Sequence, residues 1–172
     1  VDGKASVAEN LLVGKQRRPE FSLLGGLHLR RRRVKQYAAE QAEKFDIRMA
    51  SVDDPVSSLS GGNMQKVVIA REFSFDSPVL VVSQPTRGVD IGAIEFIHEH
   101  IMQKRNEGCA ILLISADLDE LFRLSDRLVT LYEGRITGSF RTEEITREEI
   151  GYYMTGGVKD EESAAKEELR HG

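Results

Sequence analysis

The stretch "SPVLVVSQPTRGVD", Ser77 to Asp90, decides how the rest of the chain is read. Its first half holds "VLVV" at 79–82, a continuous apolar run of strand length. Its second half is a Pro/Gly turn closed by Asp90, a residue suited to capping the helix that follows. A run without alternation suits a strand covered on both faces, and such strands belong to parallel sheets. Phosphate-handling enzymes often place an acidic pair at the end of such a strand. Here Ser83 and Gln84 stand before Pro85, and neither can carry negative charge.

Downstream, "AILLIS" (110–115) and "RLVTLYEG" (127–134) are similar apolar runs. An amphipathic helix is expected over Ile91–Asn106, ahead of Gly108, and a short one over Leu118–Leu124. Strand, helix, strand, helix, strand is an α/β layer pattern. "EGRITGSF" reads as a tight turn at Glu133-Gly134 leading into a last strand. Upstream, Val7, Leu11 and Leu12 predict a short helix from near Ser6. Residues 14–28, with Gly14, Pro19, Gly25 and Gly26, read as a loop. Val34, Tyr37, Ala38, Ala42 and Phe45 form one buried stripe on a helix spanning Leu29–Phe45. "RMASVDDPVSS" (48–58) is a connector, and a further helix runs from Gly61 to Phe73. The tail, Lys159 to Gly172, is charged and Ala-rich and reads as a frayed helix.

The chain has 172 residues and is 40% hydrophobic, enough for one ordinary domain or two small ones. A net charge of −4 sets up no strong field toward nucleic acid, and none is expected as a partner. The single cysteine, Cys109, excludes an internal disulfide and fits a reducing compartment. No apolar run is long enough to cross a membrane, so a membrane role is expected to come through a partner. The first residue is Val1 and helical text follows almost at once, which reads as a piece of a longer protein.

"LSGGNMQKVVIARE", Leu59 to Glu72, is the strongest short motif. Ser60 can cap the helix, and Gly61 and Gly62 leave backbone N–H groups uncovered. A helix start with free N–H groups and partial positive charge can take an anion. The plainer reading is an N-cap serine followed by flexible glycines.

This segment resembles the signature of ABC-transporter ATPases. The family follows its signature with a buried strand, Pro-Thr, a turn and an Asp opening a helix, and "VLVVSQPTRGVD" sits there. Another strand ending in Ser comes next, where "AILLISADLDE" stands. "PTRGVDIGA", "SVAENLL", "LVTLYEGRITG" and "MTGG" are similar to the subgroup that imports simple sugars and nucleosides. The resemblance spans roughly Ser6 to Gly157. It implies a partial P-loop NTPase sheet with a helical subdomain, the phosphate-loop half being absent, since no GxxxxGK[ST] occurs. Its divisions would be a helical signature subdomain over 1–75, the C-terminal half of the ATPase core over 76–158 and a charged tail over 159–172. It also implies the second, degenerate cassette of a tandem pair.

By that resemblance Ser83 replaces the Asp of the Mg²⁺ shell, Gln84 the Glu that handles the attacking water, and Ala116 the His that meets the γ-phosphate. Gln84 can hydrogen-bond a water but cannot take its proton. The chain's own site is therefore expected to hydrolyse little or nothing, although the full-length protein would use ATP and Mg²⁺ as a transport-coupled ATPase. No tightly bound cofactor is expected on this piece. The intact Ser60, Gly61, Gly62 and Asn63 would face ATP held by a partner cassette, and Asp90 would help position that site; a plain N-cap role for Asp90 is compatible. The implied partners are that cassette and a membrane permease, and the implied place is the inner face of the cell membrane, peripheral and cytoplasmic. A soluble ATPase acting on DNA or ribosomes, or a scaffold that never meets nucleotide, remain alternative readings.

Other features take plainer readings. "LRRRR", up to Arg33, reads as a solvated helix face, with anionic lipid or nucleic acid as the alternative. No metal set is read: the four histidines are scattered, and His98 and His100 fall on opposite sides of a helix. Cys109 is expected as a buried small hydrophobe, and Asp119 and Glu120 as solvated. With the phosphate-loop strand missing, the "AILLIS" strand should present an open edge, and self-association there is expected.

Overall fold

The computed structural model describes residues 1–23 and 27–157. Gly25, Gly26 and the expected helical tail over 159–172 lie outside the described residues. The chain divides into two compact units, Val1–Ile114 and Ser115 onward. The division expected at residue 75 is a different cut, between two elements of the first unit.

In the first unit, α1 (Val7–Leu12) begins at Ser6, whose side chain and that of Glu9 form a reciprocal capping box. A short antiparallel hairpin follows, β1 (Ser22–Leu23) with β2 (His28–Leu29). The loop expected over 14–28 therefore contains a strand pair: Ser22 and Phe21 are buried, which anchors the first strand. Helix α2 (Arg31–Lys44) buries Val34, Ala38 and Ala42, and Phe45 continues the stripe from the C-cap. A 3-10 turn over Val56–Ser58 leads to α3 (Gly61–Phe73), capped by Ser60. Val7, Leu11, Ala38, Val56, Val67 and Ala70 are fully or almost fully buried between these elements.

Strand β3 (Val79–Ser83) and strand β4 (Ala110–Ile114) pair in parallel, Val79 opposite Ala110 and Ser83 opposite Ile114. Helix α4 (Ile91–Asn106) makes the crossover, as parallel pairing requires. The parallel pair matches expectation, but coverage on both faces does not. Val79, Val81, Leu112 and Ile114 are 48–61% exposed, because no layer of the first unit covers that face. Cys109, at the entry to β4, is half-buried rather than buried, its Sγ 3.3 Å from the Ser77 carbonyl oxygen.

In the second unit, α5 (Leu118–Leu124) starts at Asp117, whose carboxylate accepts from Asp119 N and Glu120 N. Strands β5 (Arg127–Tyr132) and β6 (Arg135–Arg141) form an antiparallel hairpin. The parallel placement expected for "RLVTLY" is thus corrected: β5 pairs with β6, and the register shifts between Thr130 and Leu131. The two-residue turn has φ of 47° at Glu133 and 76° at Gly134, the geometry of a primed hairpin turn. Helix α6 (Arg147–Met154), with a Thr146–Glu149 capping box, lays Ile150 and Tyr153 on Leu128 and Ile145. Leu118, Leu121, Phe122 and Phe140 pack against this cluster. Glu120 is 2% exposed, which overturns its expected solvation: it sits on the inward side of α5. Asp119 is exposed and pairs with Arg147.

No helix among the described residues is long and apolar enough to cross a membrane.

Candidate functional site

The site is built on the first turn of α3. Ser60 is extended (φ −63°, ψ 158°) and its Oγ accepts from Asn63 N at 3.4 Å and from Asn63 Nδ2 at 2.9 Å. Ser60 and Gly61 are exposed, which leaves this end of α3 accessible. Asn63 is half-buried, and its Oδ1 accepts from Arg48 N at 2.8 Å.

Gly62 is buried against the start of α4. A Cβ there would meet Asp90 Oδ2 at 2.9 Å and Ala93 Cβ at 3.3 Å, so any side chain forces Asp90 to shift. Asp90 is held in place because its Oδ1 accepts from Ala93 N at 2.9 Å as the N-cap of α4. Gln65 reaches the same turn, its Nε2 donating to the Pro85 carbonyl at 2.9 Å. The motif opening α3 and the Pro/Gly turn after β3, far apart in sequence, are therefore one piece of structure.

Lys66 closes the base of the site. Its Nζ donates to the Asp46 carbonyl oxygen at 2.8 Å and to Asp46 Oδ2 at 2.7 Å, and lies 4.5 Å from the Phe96 ring centroid. The Lys66 hydrogen bond and its charge, with a smaller contribution from Arg48, hold the Asp46 carboxyl below the usual carboxylate range. Asp46, Arg48, Gly62, Asn63, Lys66, Asp90, Gly92 and Ala93 line a cleft of about 340 Å³.

Of the residues singled out in the sequence, Gly62, Asn63 and Asp90 line this cleft, while Ser60 and Gly61, at the start of α3, stand outside its lining. Ser83 and Gln84 belong to the same unit but do not line the cleft. Ser83 ends β3, exposed. Gln84 adopts a left-handed φ of 49°, its N–H donating to the Ile114 carbonyl at 2.8 Å and its carbonyl accepting from Arg87 N at 3.3 Å. Ala116 falls in the second unit and is exposed. No group of three or more His, Cys, Asp or Glu suited to a metal occurs among the described residues. His98 is buried, and His100 stacks on Phe96 at 4.0 Å and Phe45 at 5.0 Å.

Sequence reasoning missed Asp46, Arg48 and Lys66. The signal was present in Lys66, which shares the helical stripe of Ala70 and Phe73, and a lysine on a buried stripe needs a partner for its head. It also missed Lys15, 1% exposed, whose Nζ donates to Ser74 Oγ and lies 4.2 Å from the Phe75 ring centroid.

No family model matches the chain. It is 44% identical over 152 residues to the nucleoside import ATP-binding protein NupA of Lactococcus lactis subsp. cremoris (strain MG1363), covering 88% of this chain and 30% of that protein. It is 43% identical over 157 residues to the glucose import ATP-binding protein TsgD13 of Haloferax volcanii, covering 90% of this chain and 28% of that one. A solved nucleotide-free ATP-binding cassette from an ABC transporter superposes with a TM-score of 0.64 at 26% identity, over 90% of this chain and 60% of the cassette. A putative metal-chelate type ABC transporter in an inward-facing conformation, at 14% identity and a TM-score of 0.68, shares the fold. The chain spans 28–30% of the length of the two curated relatives.

Proposed function

The chain belongs to the family of ABC-transporter ATP-binding proteins of the sugar and nucleoside importer group, and from that premise we propose that it is the signature-bearing part of a second, degenerate cassette, completing an ATP site held by another cassette. The observation that carries this reading is the shared cleft. Gly62 and Asn63 of the first turn of α3 share it with Asp90, and Gly61 lies against the Gly88 carbonyl of the same turn as Asp90, while β3 ends without an acid.

The residues fit one end of a nucleotide's phosphate chain. Ser60 offers a hydroxyl, and Gly61 offers a bare backbone at the positive end of the α3 dipole. Gly62 cannot carry a side chain without displacing Asp90, so the opening keeps its shape. ATP, when bound, supplies the phosphoanhydride bond whose cleavage powers transport. These residues do not attack it: they bind its terminal charge and orient it.

Ser83 and Gln84 do not fit Mg²⁺, because neither brings a carboxylate, and no step is assigned through a metal there. Gln84 can orient water by hydrogen bonding but has no basic oxygen to receive a proton. Ala116 offers no polar group. Loss of a general base alone removes about 10²–10⁴-fold in rate. The chain's own site is therefore read as inactive, and the paired cassettes as having one working ATP site. Residues 1–75 would meet the permease at the cytoplasmic face of the membrane, and residues 76–158 would form the core half. The carried solute would be a simple sugar or a nucleoside.

The test uses the full-length protein assembled with its permease. Ser60→Arg is expected to lower ATP turnover by about 10²-fold or more by filling the opening of α3. Gln84→Ala is expected to leave turnover within about twofold. Wild-type turnover in Ser60→Arg overturns the signature role. Abolished turnover in Gln84→Ala overturns the dead site.

A further inference from the structure

The cluster Arg30–Arg33 is not absorbed by the reading above. Arg30 precedes α2 and Arg31, Arg32 and Arg33 form its first turn; all four are exposed. That turn holds no acidic residue, and Arg30 makes no side-chain cap bond. Among the described residues none of the four pairs with a carboxylate. Arg33 donates to the neutral Gln36 Oε1 at 3.1 Å, and Glu9 feels Arg31 only at a distance. Three cations in a first turn oppose the helix dipole, so the arrangement does not serve the helix itself.

Exposed leucines stand immediately ahead of this cluster. Leu23 of β1, Leu29 of β2 and Leu27 just ahead of β2 are all exposed, Leu27 by 78%. In the register Leu23 is opposite His28 and Leu29 opposite Ser22, so the two leucines lie on opposite faces of the strand pair. At 3.6 residues per turn, Arg31–Arg33 fan over about 200° around the axis. Such a collar meets a plane of negative charge across the helix end, whereas a protein groove would be met by one face of the helix.

We propose that Leu23, Leu27 and Leu29 with the Arg30–Arg33 collar form a contact for the surface of an anionic lipid bilayer, the leucines entering among the headgroups and the arginines pairing with lipid phosphates. Phosphate takes the guanidinium fork in two parallel hydrogen bonds. The inference stands on this pattern of charge and apolar exposure and does not depend on nucleotide binding at Ser60.

The experiment is co-sedimentation of the 172-residue chain with permease-free vesicles, either pure phosphatidylcholine or about one-third phosphatidylglycerol. Binding is expected to be at least about tenfold tighter on the anionic vesicles and to fall as salt is raised. Each Arg→Gln change within 30–33 should weaken partitioning by about fivefold. Leu27→Ser should weaken it while leaving the salt dependence. Val81→Thr, on the exposed face of β3, should leave the anionic preference unchanged. The Arg→Gln set relieves the dipole conflict, so the fold should be retained, and the salt series on the unmodified chain is an independent check. Equal binding to both vesicle types overturns the proposal, as does a salt-independent interaction. Binding only to vesicles that carry the permease also overturns it and makes the surface a protein contact. A normal vesicle result with wild-type turnover in Ser60→Arg would sink the signature reading alone.

Discussion

At the scale of single residues, the contact between Gly62 and Asp90 decides the geometry of the cleft. Asp90 cannot retreat freely, because its other oxygen caps α4 through Ala93 N. Gly62→Ala is therefore expected to cost about 1–2 kcal/mol by overpacking, and Asp90→Ala about 1 kcal/mol by loss of the cap. With the carboxylate gone the added methyl has room, so the double variant should be less destabilised than the sum, by about 0.5 kcal/mol or more. Denaturant unfolding of the three variants measures this, and strict additivity would show that the two residues do not touch. The cap role of Asp90 was legible in the sequence, since a Pro/Gly turn ending in Asp before an apolar period is a local signal. Its contact with Gly62 was not, because only the fold brings the two segments together. Lys66 escaped for a related reason: its charge hides its place on a buried stripe until Asp46 is seen beneath it.

At the scale of elements, local caps were legible, and so was the parallel pair of β3 and β4, but the pairing of β5 was not. Ser6, Ser60 and Asp90 each mark a helix start that the structure reproduces. Strand β5 misled because Val129 and Leu131 on its exposed side are as apolar as Leu128 on its buried side. Alternation was masked, and the run passed for a parallel strand. The cap of α1 makes a prediction about acid. Glu9 Oε2 accepts from Ser6 N at 2.8 Å and from Ser6 Oγ at 3.0 Å, and the backbone bond first, then the hydroxyl, hold its carboxyl below the usual value. A carboxyl lowered on folding contributes stability above its unfolded value, about pH 4.3, and that contribution is lost as pH falls through the lowered folded value. Asp46 and Glu107 are lowered as well, so the intact chain should lose stability below about pH 4. Glu9→Gln should make this acid limb shallower, with little change near neutrality beyond the weaker cap. Unfolding midpoints across a pH series test it, and a mutant curve parallel to the original would refute the Glu9 contribution.

At the scale of the whole molecule, the sheet exposes one apolar face on two strands with open edges. Val81 and Leu112 are opposite one another in the β3–β4 register, in the middle of that face. The chain is expected to self-associate there, by face or by edge. Sedimentation velocity should show association growing with concentration, and Val81→Lys with Leu112→Lys should weaken it by about tenfold or more. A single monomeric boundary at every concentration would refute it. The same two strands could be read as parallel from their apolar runs, yet the bare face could not, because a sequence states what a strand is suited to meet and not what is there. Inside the first unit, α3 is tied to residues 46–48 at two points, through Asn63 to Arg48 N and through Lys66 to Asp46. One tether would leave the helix free to swivel about it; two, set about a turn apart, remove that axis of rotation. The aim of the Ser60 end is thus fixed by the stretch that closes α2, and anything that shifts this stretch redirects the opening without touching it.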